Sequence, residues 1–291
     1  MPSFESYESN LTTRLAELRN GDRAYELHCN AILETLPYEA LDAPEATPQR
    51  ILDVGCGLGF LSVRMANFPE VEVVGIDPSE KAIELAKAEH QAAPNVKFYA
   101  ASAEEFAAQM LELGIPSFER AIVNMVLHSI DDDAVTSILG AVRESLAPHG
   151  VLTLVIPDRY WLMQKLIEKA QAEHMEREAG LAWVENQLTL PSVDLRIGIR
   201  SQPAYEEPIT IYNRTLSDYA QLVLSSGFGL RLRQIDPATD ELIRSFPPTA
   251  FWEWDDHTSG YDLAGRDRHI VMTKLLERPP AEDVGLELSI S

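Results

Sequence analysis

The sequence predicts an α/β fold with a mostly parallel sheet, and three observations support this prediction. Apolar strand-like segments alternate with segments of helical periodicity from Arg50 to Ile156. Several of these strand segments are apolar at nearly every position, as expected for strands buried on both faces. The chain of 291 residues, 45% of them hydrophobic, is long enough for one large core and an additional cap. We therefore expect a doubly wound, seven-stranded sheet with helices on both faces.

The N-terminal region is predicted to form a helical lid and a linker over residues 1–49. Leucines recur at helical spacing up to residue 36, with a break at Asn20-Gly21, and three prolines follow before residue 49. The core is predicted over residues 50–157, with strands at 51–54, 71–76, 96–100, 120–124 and 151–156. The helices between these strands are expected at 60–68, 79–91, 103–113 and 133–146.

The alternation stops after residue 157, which indicates an insertion over residues 158–213 with a helix at 158–180. It resumes with a helix at 216–226 and strands at 230–235 and 268–276, so residues 214–276 are expected to close the core. Residues 277–291 contain two prolines and few apolar residues, and we expect a flexible tail.

The composition argues against several classes of partner. The 46 acidic and 24 basic residues give a net charge of −22, which disfavours nucleic acids and anionic membrane surfaces. The two cysteines, and the lack of a long apolar run or of a secretory signal, favour a cytoplasmic protein without a membrane span. The histidines have no zinc-site spacing, and Asp133 in the run Asp131–Asp133 is interpreted as a helix N-cap, so no metal is expected.

The most specific motif is a glycine-rich turn between the first strand and the following helix. Glycines there allow a tight turn and a close approach of a ligand to the main chain. The dinucleotide fingerprint G-x-G-x-x-G requires a third glycine at position 60, where this chain has Phe60. Asp53 would repel a pyrophosphate at this turn and attract a cation, so a nicotinamide oxidoreductase is disfavoured.

Polar residues follow the other strands at the same edge of the sheet, where open α/β sheets bind ligands. Asp77 ends the second strand and suits bidentate hydrogen bonding to two ribose hydroxyls. Ser102 follows the third strand, and either adenine contact or a helix N-cap fits this position. Asn124 ends the fourth strand, and His128 follows it.

The combined pattern resembles the class I S-adenosylmethionine (SAM)-dependent methyltransferases, a Rossmann-like family. The similarity lies in the segments LDVGCGLG (52–59), VVGIDPS (73–79), ASAEE (101–105), NMVLHSI (124–130) and LAPHGVLTLVIP (146–157). Residues 214–276 resemble the two closing strands of that family, so the similarity covers about two thirds of the chain. The family usually has Asp at the position of Ser102 and Gly at that of His149.

The resemblance implies SAM as the cofactor and a binding site at the strand ends. The residues it assigns to cofactor binding are Asp53, Gly55, Cys56, Gly57, Gly59, Phe60, Asp77, Pro78, Ser102, Ala103, Glu104, Asn124 and Met125. It places the glycines against the methionine and ribose parts, Asp53 near the methionine amino group and Asp77 on the ribose hydroxyls. The backbone carbonyl of Asn124 would face the amino group.

The segments outside the resemblance are expected to bind the methyl acceptor, because they leave the sheet at its carboxyl edge. All four tryptophans lie in residues 157–213 and 236–267, and aromatic walls are typical of small-molecule pockets, although such residues also form a cap's own core. The candidate substrate-binding residues are Tyr7, Tyr25, Tyr160, Trp161, Arg214, Trp252 and His257. The candidate bases are His128, Asp158 and Tyr212, with His257 as a further possibility.

The predicted function is methyl transfer from SAM to a nitrogen, oxygen or carbon of a small, aromatic-containing molecule, by a monomer or homodimer. A methyltransferase of the same fold acting on protein or tRNA is an alternative, and the negative charge disfavours tRNA. A non-catalytic partner subunit that keeps the cofactor site is a further alternative.

Overall fold

The computed structural model describes residues 2–21, 29–30, 32–33, 49–68, 70–156, 159–195, 208–233 and 285–290. The predicted strand at 268–276 and most of the predicted linker lie outside these residues.

A seven-stranded sheet forms the centre of the molecule. Its strands are β1 (Gln49–Val54), β2 (Val71–Asp77), β3 (Val96–Ala100), β4 (Phe118–Asn124), β5 (Leu146–Val155), β8 (Phe228–Arg233) and β9 (Gly285–Ile290). They are arranged in the order β3-β2-β1-β4-β5-β9-β8. The first five are parallel to one another, and β9 is antiparallel to both β5 and β8. The predicted mostly parallel α/β sheet is therefore confirmed.

Helices cover the sheet on both faces, as the apolar strands require. The described helices are α1 (Pro2–Arg19), α2 (Phe60–Met65), α3 (Glu80–Glu89), α4 (Ala103–Gln109), α5 (Asp132–Ser145), α6 (Arg159–Ala172), α7 (Arg177–Gln187) and α8 (Leu216–Ser225). Leu52 of β1 packs in a cluster with residues of α4, α5 and α8, whereas its neighbour Ile51 packs with α2 on the opposite face. This alternation places Asp53 on the same face as Ile51, towards α2.

Residues 159–195 and 209–212 form a cap with its own hydrophobic cluster. The cap consists of α6, α7 and a small antiparallel pair of strands, β6 (Ser192–Leu195) and β7 (Ile209–Tyr212). Aliphatic side chains of all four elements build its core, and Trp183 packs against it half-buried. The sequence predicts one helix over 158–180, but α6 ends at Ala172 and α7 begins at Arg177, and the strand pair is not predicted at all.

Two further elements differ from the sequence-based expectation. Where we expect a flexible tail, Gly285–Ile290 forms β9 and pairs with β5 and β8. Helix α5 begins at Asp132, and its N-cap is Asp131, not Asp133, because the Asp131 carboxylate accepts a 2.8 Å hydrogen bond from the amide of Ala134. By contrast, Ser79 caps α3 as predicted, accepting from the Ala82 amide at 3.1 Å.

None of the helices in the described ranges combines the length and the apolar character needed to cross a membrane.

Candidate functional site

The candidate site lies at the carboxyl edge of the sheet, where β1, β2 and β4 end side by side. Val54, Asp77 and Asn124 are the last residues of these three strands. The strand order reverses between β1 and β4, because β2 lies on one side of β1 and β4 on the other. Open α/β sheets bind their ligands at such a reversal.

The glycine turn (Gly55–Gly59) has a backbone that only glycine adopts without strain. Gly55, Gly57 and Gly59 all have positive φ angles, of 71°, 53° and 76°. A Cβ atom on Gly55 would lie 2.4 Å from Cγ2 of Val126, and one on Gly59 would lie 2.5 Å from Cζ of Phe98. The glycines are therefore required both by conformation and by close packing, and Val126 is a neighbour of the turn that the sequence does not reveal.

The amides of this turn are already used by acceptors within the protein. Gly55 and Cys56 both donate to the carbonyl of Ile76, at 2.8 and 2.9 Å, and Gly59 donates to the carbonyl of Cys56 at 2.9 Å. A pyrophosphate-binding turn instead directs its amides at the ligand. The turn thus fits a cofactor that is held by acids and by close backbone contact rather than by free amides.

Asp77 is held in one orientation by two backbone amides. Its Oδ2 accepts from Gly57 N at 3.0 Å and its Oδ1 accepts from Ser79 N at 2.9 Å, while the hydroxyl of Tyr7 lies 3.5 Å from Oδ2. Burial raises the pKa of Asp77 and the charge of Glu8 adds to this rise, whereas these three hydrogen bonds lower it. Oδ1 retains a lone pair for a further donor, and a ribose hydroxyl could take the place of the long Tyr7 contact on Oδ2.

Asp53 is a buried acid beneath the glycine turn. Its Oδ2 accepts a 2.6 Å hydrogen bond from the hydroxyl of Ser62 in α2, and the residue is 1% exposed. Burial raises the pKa of Asp53 to about 7, the Ser62 hydrogen bond lowers it, and the charge of Asp77 raises it further. A cation bound nearby would stabilise the ionised form of both acids.

The end of β4 combines an unsatisfied acceptor with a strained backbone. Oδ1 of Asn124 is buried, and within the described part of the chain no donor reaches it. The next residue, Met125, has φ 58° although it is not glycine, and its amide donates to Val155 O at 2.8 Å. Buried orphan acceptors and left-handed non-glycine residues are both concentrated at binding sites.

The post-β4 loop (residues 125–131) carries His128 on a short 3-10 turn, Leu127–Ser129. Arg214, two residues after the last strand of the cap, is 8% exposed and donates to the carbonyls of Leu127 and Ile130 at 2.7 and 2.6 Å. It also pairs with the Asp132 carboxylate at 2.6 Å. The guanidinium expected to bind substrate is therefore engaged by the loop.

The remaining predicted cofactor residues are used in different ways. Ser102 forms a capping box with Glu105 at the start of α4, so its side chain acts as the N-cap. Burial raises the pKa of Glu104, but hydrogen bonds with Ser137 and Ser102 outweigh it and the pKa is lowered overall. Ala103 is buried in the core beneath the edge.

Side chains around the start of α2 mostly support the turn. Cys56 is buried, and burial raises the pKa of its thiol. The ring of Phe60 packs edge-on against His90 at 4.8 Å, and Nε2 of His90 lies 3.0 Å from the carbonyl of Leu58. Pro78 is exposed. His90 therefore supports the turn, and the sequence motifs do not identify this residue.

Helix α1 packs at the end of β2, where it contacts Asp77 and Ser79. Besides the contact of Tyr7 with Asp77, Glu8 accepts a 2.6 Å hydrogen bond from the hydroxyl of Ser79, and its carbonyl accepts from Lys81 at 2.9 Å. Leu11 and Leu15 pack against Leu58 and α3. Tyr7, expected to bind substrate, thus contacts the acid assigned to the cofactor.

Tyr212 lies on β7, half-buried, and its ring packs 4.8 Å from the guanidinium of Arg214. Several other candidates cannot be placed, because Tyr25, Asp158, Trp252 and His257 lie outside the described residues. The backbone of Tyr160 and Trp161 belongs to α6. Within the described ranges, no group of three or more His, Cys, Asp or Glu side chains is arranged to hold a metal ion.

The residues present at the edge fit SAM, which carries a sulfonium and an ammonium group. The tightly packed glycine turn admits a ligand close to the main chain, and two buried acids lie beside it. The orphan Oδ1 of Asn124 offers an acceptor at the same edge. This donor and acceptor set suits a cation with hydroxyl and ammonium donors better than an anionic pyrophosphate.

Comparisons with known proteins agree with this geometry. The family described as "Methyltransferase domain" matches residues 47–204, more than half of the chain. A malonyl-[acyl-carrier protein] O-methyltransferase of Halalkalibacterium halodurans is 24% identical over 188 residues, 62% of this chain and 68% of that protein. A ubiquinone biosynthesis O-methyltransferase of Aromatoleum aromaticum is 48% identical over 62 residues, 21% of this chain and 26% of that protein.

A solved structure supports the fold. The magnesium protoporphyrin IX methyltransferase from Synechocystis PCC 6803, with bound SAH, aligns over 100% of both chains with a TM-score of 0.54 and 13% identity. Together with the match over residues 47–204, the edge geometry places this chain in the class I SAM-dependent methyltransferases.

Proposed function

We propose that the protein transfers the methyl group of SAM to a small molecule held between the glycine turn and the cap. The observation that carries this proposal is the carboxyl edge itself, where a turn with internally satisfied amides adjoins two buried acids. When bound, SAM would supply an electrophilic methyl group: the acceptor atom would bond to the methyl carbon in line with the carbon–sulfur bond as that bond breaks and the neutral thioether leaves. The protein's contribution is alignment of the two reactants and exclusion of water.

The cofactor is proposed to be held mainly by the glycine turn and by Asp77. The amides of Gly57 and Ser79 fix the Asp77 carboxylate so that its remaining lone pairs face the ribose hydroxyls. Asp53 and Oδ1 of Asn124 are proposed to face the methionine end, where the ammonium is a donor and a cation. Ser102, Ala103 and Glu104 are proposed to border the adenine through their backbone, since the Ser102 hydroxyl caps α4.

The acceptor is proposed to be a small molecule with a nucleophilic oxygen, with nitrogen and carbon as the other options. Oxygen is favoured because the two relatives named above are both O-methyltransferases by name. All four tryptophans lie in residues 157–213 and 236–267, the segments that the family resemblance does not cover, and this favours an aromatic acceptor. Tyr160, Trp161, Trp252 and His257 are the proposed contacts, with Tyr25 from the N-terminal region.

A base is required only where the attacking atom carries a proton at neutral pH. His128 is the first candidate because it lies on the post-β4 loop, within four residues of the end of β4. Asp158 and Tyr212 are the alternatives. The ring of Tyr212 packs on Arg214, and this contact makes it the weaker of the placed candidates.

The net charge of −22 supports a partner other than nucleic acid, and a basic peptide is the macromolecular alternative. A cytoplasmic monomer or homodimer is the proposed state. A non-catalytic, cofactor-binding subunit is the second candidate function, and a failure to methylate any acceptor despite tight cofactor binding would favour it.

The test is a calorimetric titration of the full chain with S-adenosylhomocysteine (SAH), with NADH in parallel. We expect micromolar binding of SAH and no binding of NADH. Binding of NADH alone would overturn the proposal, and so would binding of neither. A screen of phenols, carboxylic acids and amines with labelled SAM then identifies the acceptor class, and labelling of lysate protein tests the peptide alternative.

A further inference from the structure

We propose that Arg214 is a positioning residue that couples the cap to the glycine turn through the post-β4 loop. The proposal rests on the proposed function in one respect, because SAH binding is one of its readouts. It assigns Arg214 a role other than direct contact with the substrate.

The guanidinium of Arg214 is held from several directions. Nη1 donates to Leu127 O at 2.7 Å, Nη2 donates to Ile130 O at 2.6 Å, and Nε donates to the Asp132 carboxylate at 2.7 Å. The rings of Tyr212 and Tyr219 lie 4.8 and 5.6 Å from its central carbon. Two of its three acceptors are backbone carbonyls, so the contact fixes the path of the loop and not only a side chain.

Arg214 supplies hydrogen-bond donors to two loop carbonyls, those of Leu127 and Ile130. The carbonyl of Val126 is satisfied locally, by the amide and the hydroxyl of Ser129 at 3.2 and 3.0 Å. The carbonyls of Leu127 and Ile130 instead receive donors from a residue more than 80 positions later in the chain. Without Arg214 these carbonyls lose their partners, and the loop gains freedom to shift.

The loop in turn contacts the glycine turn. Cγ2 of Val126 lies 2.4 Å from the place where a Cβ atom on Gly55 would stand, so the valine packs directly on the Gly55 backbone. Arg214 donates to the carbonyl of Leu127, the residue after Val126, and thereby fixes the position of the valine beside the turn. The chain of contacts therefore runs from the cap, through Leu127 and Val126, to Gly55.

The geometry requires arginine and not merely a positive charge. A planar fork with several donors reaches two carbonyls and a carboxylate at once, whereas a lysine ammonium is a single point donor on a flexible stem. Asp132 contributes little by itself, because its side chain is 71% exposed in the ion pair. The two carbonyls are consequently the contacts that matter for position.

The test combines three single variants with a double-mutant cycle, read out by SAH calorimetry. We expect Arg214→Gln and Val126→Ala each to weaken SAH binding by about fivefold or more. The double variant should bind SAH no more weakly than the weaker-binding of the two single variants, because both substitutions act through the same loop. Arg214→Lys should recover less than half of the loss on a logarithmic scale.

Two controls separate position from charge and from general stability. Asp132→Asn leaves both carbonyl contacts in place and should change SAH binding by less than twofold. Arg50→Gln removes a comparable ion pair, with Glu119 at the opposite edge of the sheet, and should also leave SAH binding unchanged. Circular dichroism spectra identify any variant that fails to fold.

Hydrogen exchange gives a readout that does not depend on SAH. Amides of residues 125–131 should exchange at least tenfold faster in Arg214→Gln and in Arg214→Lys, and at the wild-type rate in Arg50→Gln. Additive effects in the cycle, complete rescue by lysine or unchanged exchange would each overturn the proposal. Failure of the wild-type chain to bind SAH would contradict the proposed function instead, and the exchange result would still decide the role of Arg214.

Discussion

Replacement of Asp53 by Asn should make the protein more stable at neutral pH and should flatten the pH dependence of its stability. The carboxyl is 1% exposed, and it accepts a hydrogen bond from the hydroxyl of Ser62 in α2. Asn has the same shape and keeps an acceptor for the Ser62 hydroxyl, but it carries no charge. The substitution therefore removes the cost of ionising a buried acid while preserving its packing.

The magnitude follows from the pKa of Asp53, which burial raises from 3.8 to about 7. Between these two values the unfolded chain ionises while the folded chain retains its proton, so the folded state binds more protons and stability falls as pH rises. Each pKa unit is worth about 1.4 kcal/mol, which gives a loss of at most about 4 kcal/mol that is complete above pH 7. Below the unfolded pKa the group contributes no pH dependence.

The assay is urea unfolding of both proteins between pH 5 and pH 8 without cofactor. The free energy of unfolding of the wild type should fall by up to about 3 kcal/mol relative to Asp53→Asn from pH 5 to pH 7. Parallel curves for the two proteins would refute the reasoning, because they would mean that Asp53 is ionised in the folded state throughout. Ser62→Ala is the control for the hydrogen bond, and it should enlarge the pH dependence.

Three further outcomes are expected. Asp77→Asn should weaken SAH binding at least tenfold, or about 1.4 kcal/mol, because a charge-assisted acceptor is lost; unchanged calorimetric affinity would remove Asp77 from the site. Gly59→Ala should lower the free energy of unfolding by about 2 kcal/mol or more, since its φ is 76° and its Cβ would lie 2.5 Å from Phe98. The matched control Gly140→Ala, in open space on α5, should instead raise it by about 0.5–1 kcal/mol in the same urea titration. Tyr7→Phe should weaken SAH binding by about threefold or less, because its 3.5 Å contact with Asp77 is long; a loss above tenfold would indicate a direct cofactor contact.

The core of the fold could be predicted because each of its elements carries a local signal. The predicted strand segments overlap β1 to β5, and Ser79 caps α3 as its residue type predicts. The glycine spacing at 55, 57 and 59 identified the turn, and the structure gives all three a positive φ. These features depend on residues that are close in sequence.

The cap and its contacts could not be predicted because they depend on distant partners. The strands β6 and β7 are only four residues long, too short for the alternation of polar and apolar residues to identify them in the sequence. Arg214 is predicted to contact the substrate, but the acceptors of its guanidinium lie more than 80 residues earlier in the chain. In the run Asp131–Asp133 each acid is an equally good N-cap by type, and only the start of α5 decides between them.

A glycine-rich turn can bind an anionic or a cationic cofactor, and the acceptors of its backbone amides distinguish the two cases. Here β2 takes up two of them through Ile76, and Asp77 takes up a third. Because these amides already donate within the protein, the turn offers few donors to a phosphate. The Asp77 carboxylate, held by the turn, is instead a fixed acceptor near the buried Asp53. Burial is the main cause of the raised pKa of Asp53, and the charge of Asp77 adds to it, so ionisation of Asp53 is disfavoured without a cation nearby. A positively charged cofactor bound beside Asp53 would stabilise its ionised form and offset the cost of burying this charge, and the offset would add to the affinity for SAM.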